Sequence, residues 1–133
     1  MNIFYTAILS SFLKIANPHC KKIFRNLNLT IMLELRPNCE NCGKLLPPES
    51  SEAMICSFEC TFCFHCYESF LENVCPNCGG GFSQRPIRPK NNWKNNNNLS
   101  EYPASTKTVY RPLDPAEHSL FAKGISKIPA KQR

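Results

Sequence analysis

Residues 56–78 read CSFECTFCFHCYESFLENVCPNC, six cysteines in twenty-three positions, separated by three, two, two, eight and two residues. Cys39 and Cys42 add a pair upstream, giving Cys39-x2-Cys42-x13-Cys56-x3-Cys60-x2-Cys63-x2-Cys66-x8-Cys75-x2-Cys78. Eight thiols make two complete tetrahedral sets, with Cys20 left outside. A two-residue gap lets one tight turn present both sulfurs to a single cation, and structural zinc takes four such ligands. The pattern therefore points to two Zn2+ ions held by Cys39, Cys42, Cys56, Cys60, Cys63, Cys66, Cys75 and Cys78. Iron accepts the same donor set, and the spacing does not separate the two metals.

Two of the cysteine turns are alike. CENCGK and CPNCGG each place a glycine directly after the second Cys, at Gly43 and Gly79. A left-handed backbone there can aim amide N–H groups at the sulfurs. Disulfides explain the pattern less well, because a bridge within CxxC closes a short loop and restrains little chain. A redox dithiol would open a helix inside a βαβ unit. Cys63-Phe64-His65-Cys66 precedes a helical stretch, but no βαβ pattern surrounds it. His65 reads as a surface side chain rather than a substitute ligand.

The thiols can be shared in two ways. Sequential pairing joins Cys39, Cys42, Cys56 and Cys60, then Cys63, Cys66, Cys75 and Cys78. Interleaved pairing joins Cys39, Cys42, Cys63 and Cys66, leaving Cys56, Cys60, Cys75 and Cys78. The second fixes a small module better, since each ion ties distant segments together.

Around the cysteines the sequence predicts a small α+β module. Ala53–Cys56 and Thr61–Phe62 suit a short hairpin about Ser57–Glu59. Cys63, Cys66, Tyr67, Phe70, Leu71 and Val74 recur at helical spacing over 64–73, with Glu68, Glu72 and Asn73 toward solvent. Ile55, Phe62, Phe70 and Leu71 supply the small apolar core, and Pro47 and Pro48 mark a loop. A core running only from about Met32 to Phe82 buries too little surface to offset chain entropy comfortably, which itself calls for metal.

Charge is segregated. Residues 32–82 carry two cations against seven acids, a net of −5, whereas residues 83–133 carry ten against three, a net of +7. The overall +6 thus conceals an acidic cysteine-rich module followed by a basic tail, and a uniformly basic nucleic-acid binder is excluded. The tail is rich in Pro, Asn and Lys and reads as a flexible arm. Within it Arg85, Arg88, Lys90, Trp93 and Lys94 are candidate contacts for a partner or a nucleic acid, Trp93 by stacking on a base or by docking back on the module. Asp114, Pro115, Glu117 and Gly124 mark a short helix near 115–123, which needs a surface for Leu120 and Phe121.

Residues 1–31 form an extension whose apolar run, Ile3–Leu13, is too short to span a bilayer. It lacks the basic residues and cleavage site of an export signal. A natural start at Met32 and a docked helix are the other readings of this segment. Unbridged thiols suit a reducing cytoplasm.

The ligand order resembles RING-type zinc domains: C-x2-C, then C-x3-ligand, x2-C-x2-C, and finally Cys75-Pro76-x-Cys78. Cys60 stands where that family more often has His. The resemblance implies a cross-brace and raises ubiquitin-ligase-like activity, yet Asn41 and Gly79 occupy positions where ligases usually carry an aliphatic residue and a cation. LELRPNCENCGKLLPP, ICSFECTFCFHC and CPNCGGGFSQRPIRP resemble a family of short bacterial Cys-rich proteins, domain of unknown function twelve-seventy-two. That second resemblance covers roughly Met32–Pro89 and implies a zinc module in a bacterial cytosol, with no activity attached.

With all eight thiols used, no coordination position is open for catalysis. No Asp and no Ser/His/acid grouping stands in the core. The expectation is a small zinc-stabilised module, RING-like or a double zinc knuckle, acting as a non-catalytic interaction platform for a protein partner or for its own tail. Nucleic-acid binding through the basic tail is the alternative.

Overall fold

The computed structural model describes residues 32–133, and Leu33–Arg133 form one compact unit. The N-terminal extension and Cys20 lie outside the described residues. β1 (Ala53–Ile55) and β2 (Thr61–Cys63) form the expected hairpin, antiparallel with Met54 opposite Phe62. Its turn places Glu59 at φ 62, and the Glu59 N–H donates to the Cys56 carbonyl at 3.0 Å. β3 (Ser83–Gln84) adds a third antiparallel strand on the free edge of β1. No sequence pattern announces it, because two polar residues carry no alternation.

After β2 comes α1 (Phe64–Cys66), capped by Cys63, whose sulfur accepts the Cys66 N–H at 3.4 Å. The chain then winds into a π-helical turn over Tyr67–Leu71 and stops at Glu72 and Asn73, both left-handed. The helix expected over 64–73 is thus shorter, and its phase changes. An i→i+5 winding shifts the buried positions from a 3.6-residue period. Leu71 accordingly enters the core, while Phe70 is 37% exposed rather than buried. Asn73 turns inward, its Oδ1 accepting the Phe82 N–H at 2.8 Å.

The central cluster comprises Cys39, Leu46, Ala53, Cys56, Cys60, Phe62, Cys63, Cys66, Leu71 and Cys75. Six of these ten are cysteines, so aliphatic burial alone is a thin source of stability. Phe82 closes one side, edge-on to Phe62 at 5.6 Å and to Tyr67 at 5.7 Å between ring centroids.

Where the sequence reading expected a flexible arm, residues 83–133 belong to the same unit as the cysteine-rich stretch. The reason is polar rather than apolar. Arg85 is 1% exposed and donates to the carbonyls of Arg36 at 2.7 Å, Leu46 at 3.0 Å and Pro47 at 2.7 Å. Arg88 donates to Tyr102 O at 2.7 Å and Leu33 O at 2.8 Å. Ser105 Oγ donates to Glu34, whose carboxyl, despite partial burial, is held below its ordinary pKa by Arg36 and Ser105. Further on, Asp114 caps α2 (Pro115–Ile125) through the N–H groups of Ala116 and Glu117. The helix docks mainly by a different face from the one expected. His118 and Ala122 are buried, with His118 Nε2 donating to Leu71 O at 3.2 Å, whereas Leu120 is exposed and Phe121 is only half covered, its ring edge beside Gly79. A final 3-10 turn, Ala130–Gln132, precedes Arg133, which donates to Asn73 O at 2.6 Å.

Removing the Arg85 guanidinium takes that donor from the Arg36 and Leu46 carbonyls, while Pro47 O keeps the Ser50 N–H at 2.9 Å. Burial lowers the Arg85 pKa, so relief of that desolvation offsets part of the loss. Arg85→Met is expected to destabilise the protein by about 2–4 kcal/mol. A thermal melt measures this, with Lys90→Ala expected to stay within about 0.5 kcal/mol of the parent.

Candidate metal centre

The two cysteine turns that looked alike in sequence are alike in backbone. Gly43 sits at φ 76 and Gly79 at φ 75. Gly43 N–H donates to Cys39 O at 3.0 Å and Gly79 N–H to Cys75 O at 2.7 Å. The return bonds also match, Cys39 N–H to Lys44 O at 2.8 Å and Cys75 N–H to Gly80 O at 2.7 Å. Only a residue that tolerates positive φ closes this turn cheaply, which is why glycine follows the second Cys in both. The closed turn leaves N–H groups facing sulfur: Gly80 donates to Cys78 Sγ at 3.4 Å, and Lys44 N–H to Cys42. Tyr110 lies against Gly43, and Phe121 and Ile125 against Gly79, so the C-terminal segment crosses both turns.

Each turn delivers its sulfurs to a pair from the hairpin region. Cys39, Cys42, Cys63 and Cys66 form one group with all four sulfurs within 4.8 Å of one another. Cys56, Cys75 and Cys78 form a second group of the same compactness. The grouping is interleaved along the chain. Sequential sharing would need Cys39 and Cys42 beside Cys56, and instead they face Cys63 and Cys66 across β2 and α1. Cys60 stands just outside the second group, yet its thiol meets those of Cys75 and Cys56. Cys42 and Cys78, at corresponding places in the two turns, are the exposed sulfurs, and the other six are buried. His65 belongs to neither group and is exposed, with Nδ1 3.5 Å from Ser69 Oγ.

Thiols crowded this closely oppose one another's ionisation. Burial pushes the Cys56 thiol up to about 11, although the Phe58 N–H favours its thiolate. Burial likewise raises Cys63 and Cys66. Cys75 is driven up first by its hydrogen bond to Cys60 and then by burial. Cys60 is the counterpart, brought down to about 5 chiefly by the Cys75 thiol, with the Asn77 amide adding to the effect against burial. A divalent cation in either group would reverse this balance, because it would attract the thiolates that otherwise repel. The donor set, all sulfur and four-fold in the complete group, is that of a closed structural site.

The polar residues that brace the cysteine turns were not anticipated. Glu40 is 1% exposed, accepting from Arg36 Nη1 at 2.6 Å, the Thr61 N–H at 3.0 Å and Asn77 Nδ2 at 3.1 Å. It thereby ties the first cysteine turn to the second. Asn41 Nδ2 donates to Cys66 Sγ at 3.3 Å. The signal available in the sequence was the Asn before the second Cys in both CENC and CPNC.

The candidate partner contacts divide. Arg85 and Arg88 are spent on backbone carbonyls, as described above. Lys90, Trp93 and Lys94 are exposed on a loop built by asparagines, where Asn96 N–H donates to Asn92 Oδ1 at 3.0 Å and Asn95 and Asn96 are left-handed. Trp93 is 81% exposed and does not dock on the module.

Fold and site together define a small cysteine-rich protein in which two interleaved thiol groups, each able to hold a metal ion, organise the chain. The chain belongs to a family described as a protein of unknown function (DUF1272), whose model matches residues 32–88. It is 54% identical over 81 residues to an uncharacterized protein of Rhizobium meliloti (strain 1021), covering 61% of this chain and 89% of that protein. No solved structure matches it. Among the described residues no helix is long and apolar enough to cross a membrane.

Proposed function

We propose that this is a structural zinc-binding protein, with one Zn2+ held by Cys39, Cys42, Cys63 and Cys66 and a second by Cys56, Cys60, Cys75 and Cys78, in a RING-like cross-brace. The interleaved grouping of the thiols carries this reading. Four thiolates per ion leave no open coordination position, so the metal organises the fold and performs no chemistry. Each Zn(Cys)4 centre has a formal charge of −2, which makes an already acidic module more so and suits it to a basic partner. The basic segment 83–133 lies on the same unit and answers part of that charge. A reducing bacterial cytoplasm is the matching compartment, and the relative from Rhizobium meliloti supports a bacterial setting. The module then serves as a rigid, non-catalytic platform for interaction. Native mass spectrometry of protein made without refolding tests the metal directly. Two zinc ions on a chain without disulfides are expected; a metal-free chain lighter by the hydrogens lost to disulfides would overturn the reading.

A second reading rests on Trp93, held out between Lys90 and Lys94 on the asparagine loop. An exposed aromatic flanked by cations suits stacking on a base of single-stranded nucleic acid. Binding that weakens steeply with salt and fails in Trp93→Ala would favour it. Ubiquitin-ligase-like activity has less behind it, since Asn41 is drawn into the first centre and Gly79 is buried beneath α2.

A further inference from the structure

The repeated turns share a side chain as well as a backbone. Asn41 in Cys39-Glu40-Asn41-Cys42 and Asn77 in Cys75-Pro76-Asn77-Cys78 occupy the same place. Each carboxamide leaves its own turn and reaches the pair on the far side of its group. Asn41 Nδ2 lies 3.3 Å from Cys66 Sγ. The Asn77 amide meets Cys60. The two targets also correspond, since Cys66 and Cys60 are each the second sulfur of the pair that faces the turn. Each carboxamide has a second partner. Asn41 Oδ1 accepts the Leu113 N–H at 2.9 Å, and Asn77 Nδ2 also donates to Glu40 Oε2 at 3.1 Å.

We propose that Asn41 and Asn77 are matched positioning residues for the two metal centres, each donating an amide hydrogen to one thiolate of the facing pair and so slowing loss of that centre's ion. The proposal rests on the reading that eight thiolates hold two ions. A thiolate in such a centre carries excess negative charge, and a hydrogen bond to a charged acceptor is stronger than one between neutral groups. It spreads that charge and fixes the direction of the sulfur lone pairs toward the cation. Groups that orient metal ligands in this way are worth about 10–100-fold in metal affinity. The arrangement also gives the C-terminal segment a grip on the first centre. Leu113 holds Asn41, and Asn41 holds Cys66, so the backbone at residue 113 is two hydrogen bonds from a metal-facing sulfur.

The test uses the full chain loaded with 113Cd2+ for spectroscopy and with Zn2+ for release. In Asn41→Ala the 113Cd resonance coupled to the Cys66 β-protons should move while the other holds, and the first zinc ion should pass to a chromogenic chelator about 10–100-fold sooner. Asn77→Ala should move the other resonance. Asn41→Asp keeps the shape of the side chain but replaces the donor with a carboxylate beside the sulfur, and should release zinc at least as fast. It serves as the readout if the alanine variant does not fold. Unchanged resonances with unchanged release, or two resonances that move equally in each single variant, would overturn the proposal. A parent protein that shows no pair of 113Cd signals would instead remove the two-ion reading beneath it.

Discussion

Chelating the metal is expected to unfold Leu33–Arg133, with loss of both the hairpin and α2, and restoring Zn2+ should refold it. The magnitude follows from comparing two quantities. Structural zinc in small finger domains contributes an apparent free energy of about 10–16 kcal/mol. A domain of this size has a net stability of about 5–15 kcal/mol. The metal contribution is therefore as large as the whole net stability, and the sulfur-rich core has little to replace it. The interleaving adds a second consequence. The first group ties residues 39–42 to 63–66, and the second ties 56 to 75–78, so each spans chain that the other anchors. Cys63→Ser and Cys75→Ser, one from each group, should both abolish cooperative melting and lower the content of both ions. Circular dichroism melts with metal analysis measure this. A single-site variant that keeps one tightly held ion and a sharp melt would show two independent halves instead.

Replacing Glu40 by Ala is expected to destabilise the zinc-loaded protein by about 3–5 kcal/mol, the range for breaking a buried ion pair by removing one partner. Its carboxylate is nearly inaccessible and is used at both oxygens. Oε1 accepts Arg36 and the Thr61 N–H, and Oε2 accepts Asn77. Arg36 keeps a bond to Glu34 at 3.0 Å, which softens the loss on that side. The Thr61 N–H, on a residue that is fully buried, has no such substitute. Glu40→Gln keeps the size but brings an amide hydrogen toward groups that are already donors, so it should recover only part of the stability. Thermal midpoints at equal zinc occupancy measure both, and Glu68→Ala, on the exposed π-turn, should change little. Equal midpoints for Glu40→Ala and Glu68→Ala would show that the link between the cysteine turns contributes nothing.

The parts of this structure legible in the sequence are those set by short-range rules. The glycine after the second Cys demanded a left-handed turn, and both turns have it. The hairpin followed from β-forming residues on either side of Ser57–Glu59. Asp114 with Pro115 announced the start of α2. The sharing of thiols between two groups was open, since spacing permits both arrangements. The segment after Phe82 was the least legible. Hydropathy sees only Pro, Asn and Lys there, while its contacts are guanidinium groups and N–H groups meeting carbonyls, which carry no periodic signature. Arg85 looks like any surface cation in the sequence, and Glu40 like any surface acid beside a turn. Their burial depends on partners 49 and 37 residues away. Phe70 was misplaced for a local reason, because a helical period was applied to a turn that winds more widely.

The central claim is that two ions divide the eight cysteines in an interleaved way, and proton–113Cd correlation spectroscopy of the cadmium-loaded chain tests it most directly. Each cadmium couples to the β-protons of the cysteines that bind it, so the spectrum assigns every sulfur to an ion. The expected result is two resonances, one correlated with Cys39, Cys42, Cys63 and Cys66 and the other with Cys56, Cys60, Cys75 and Cys78. A resonance that joins Cys39 and Cys42 to Cys56 and Cys60 would contradict the account.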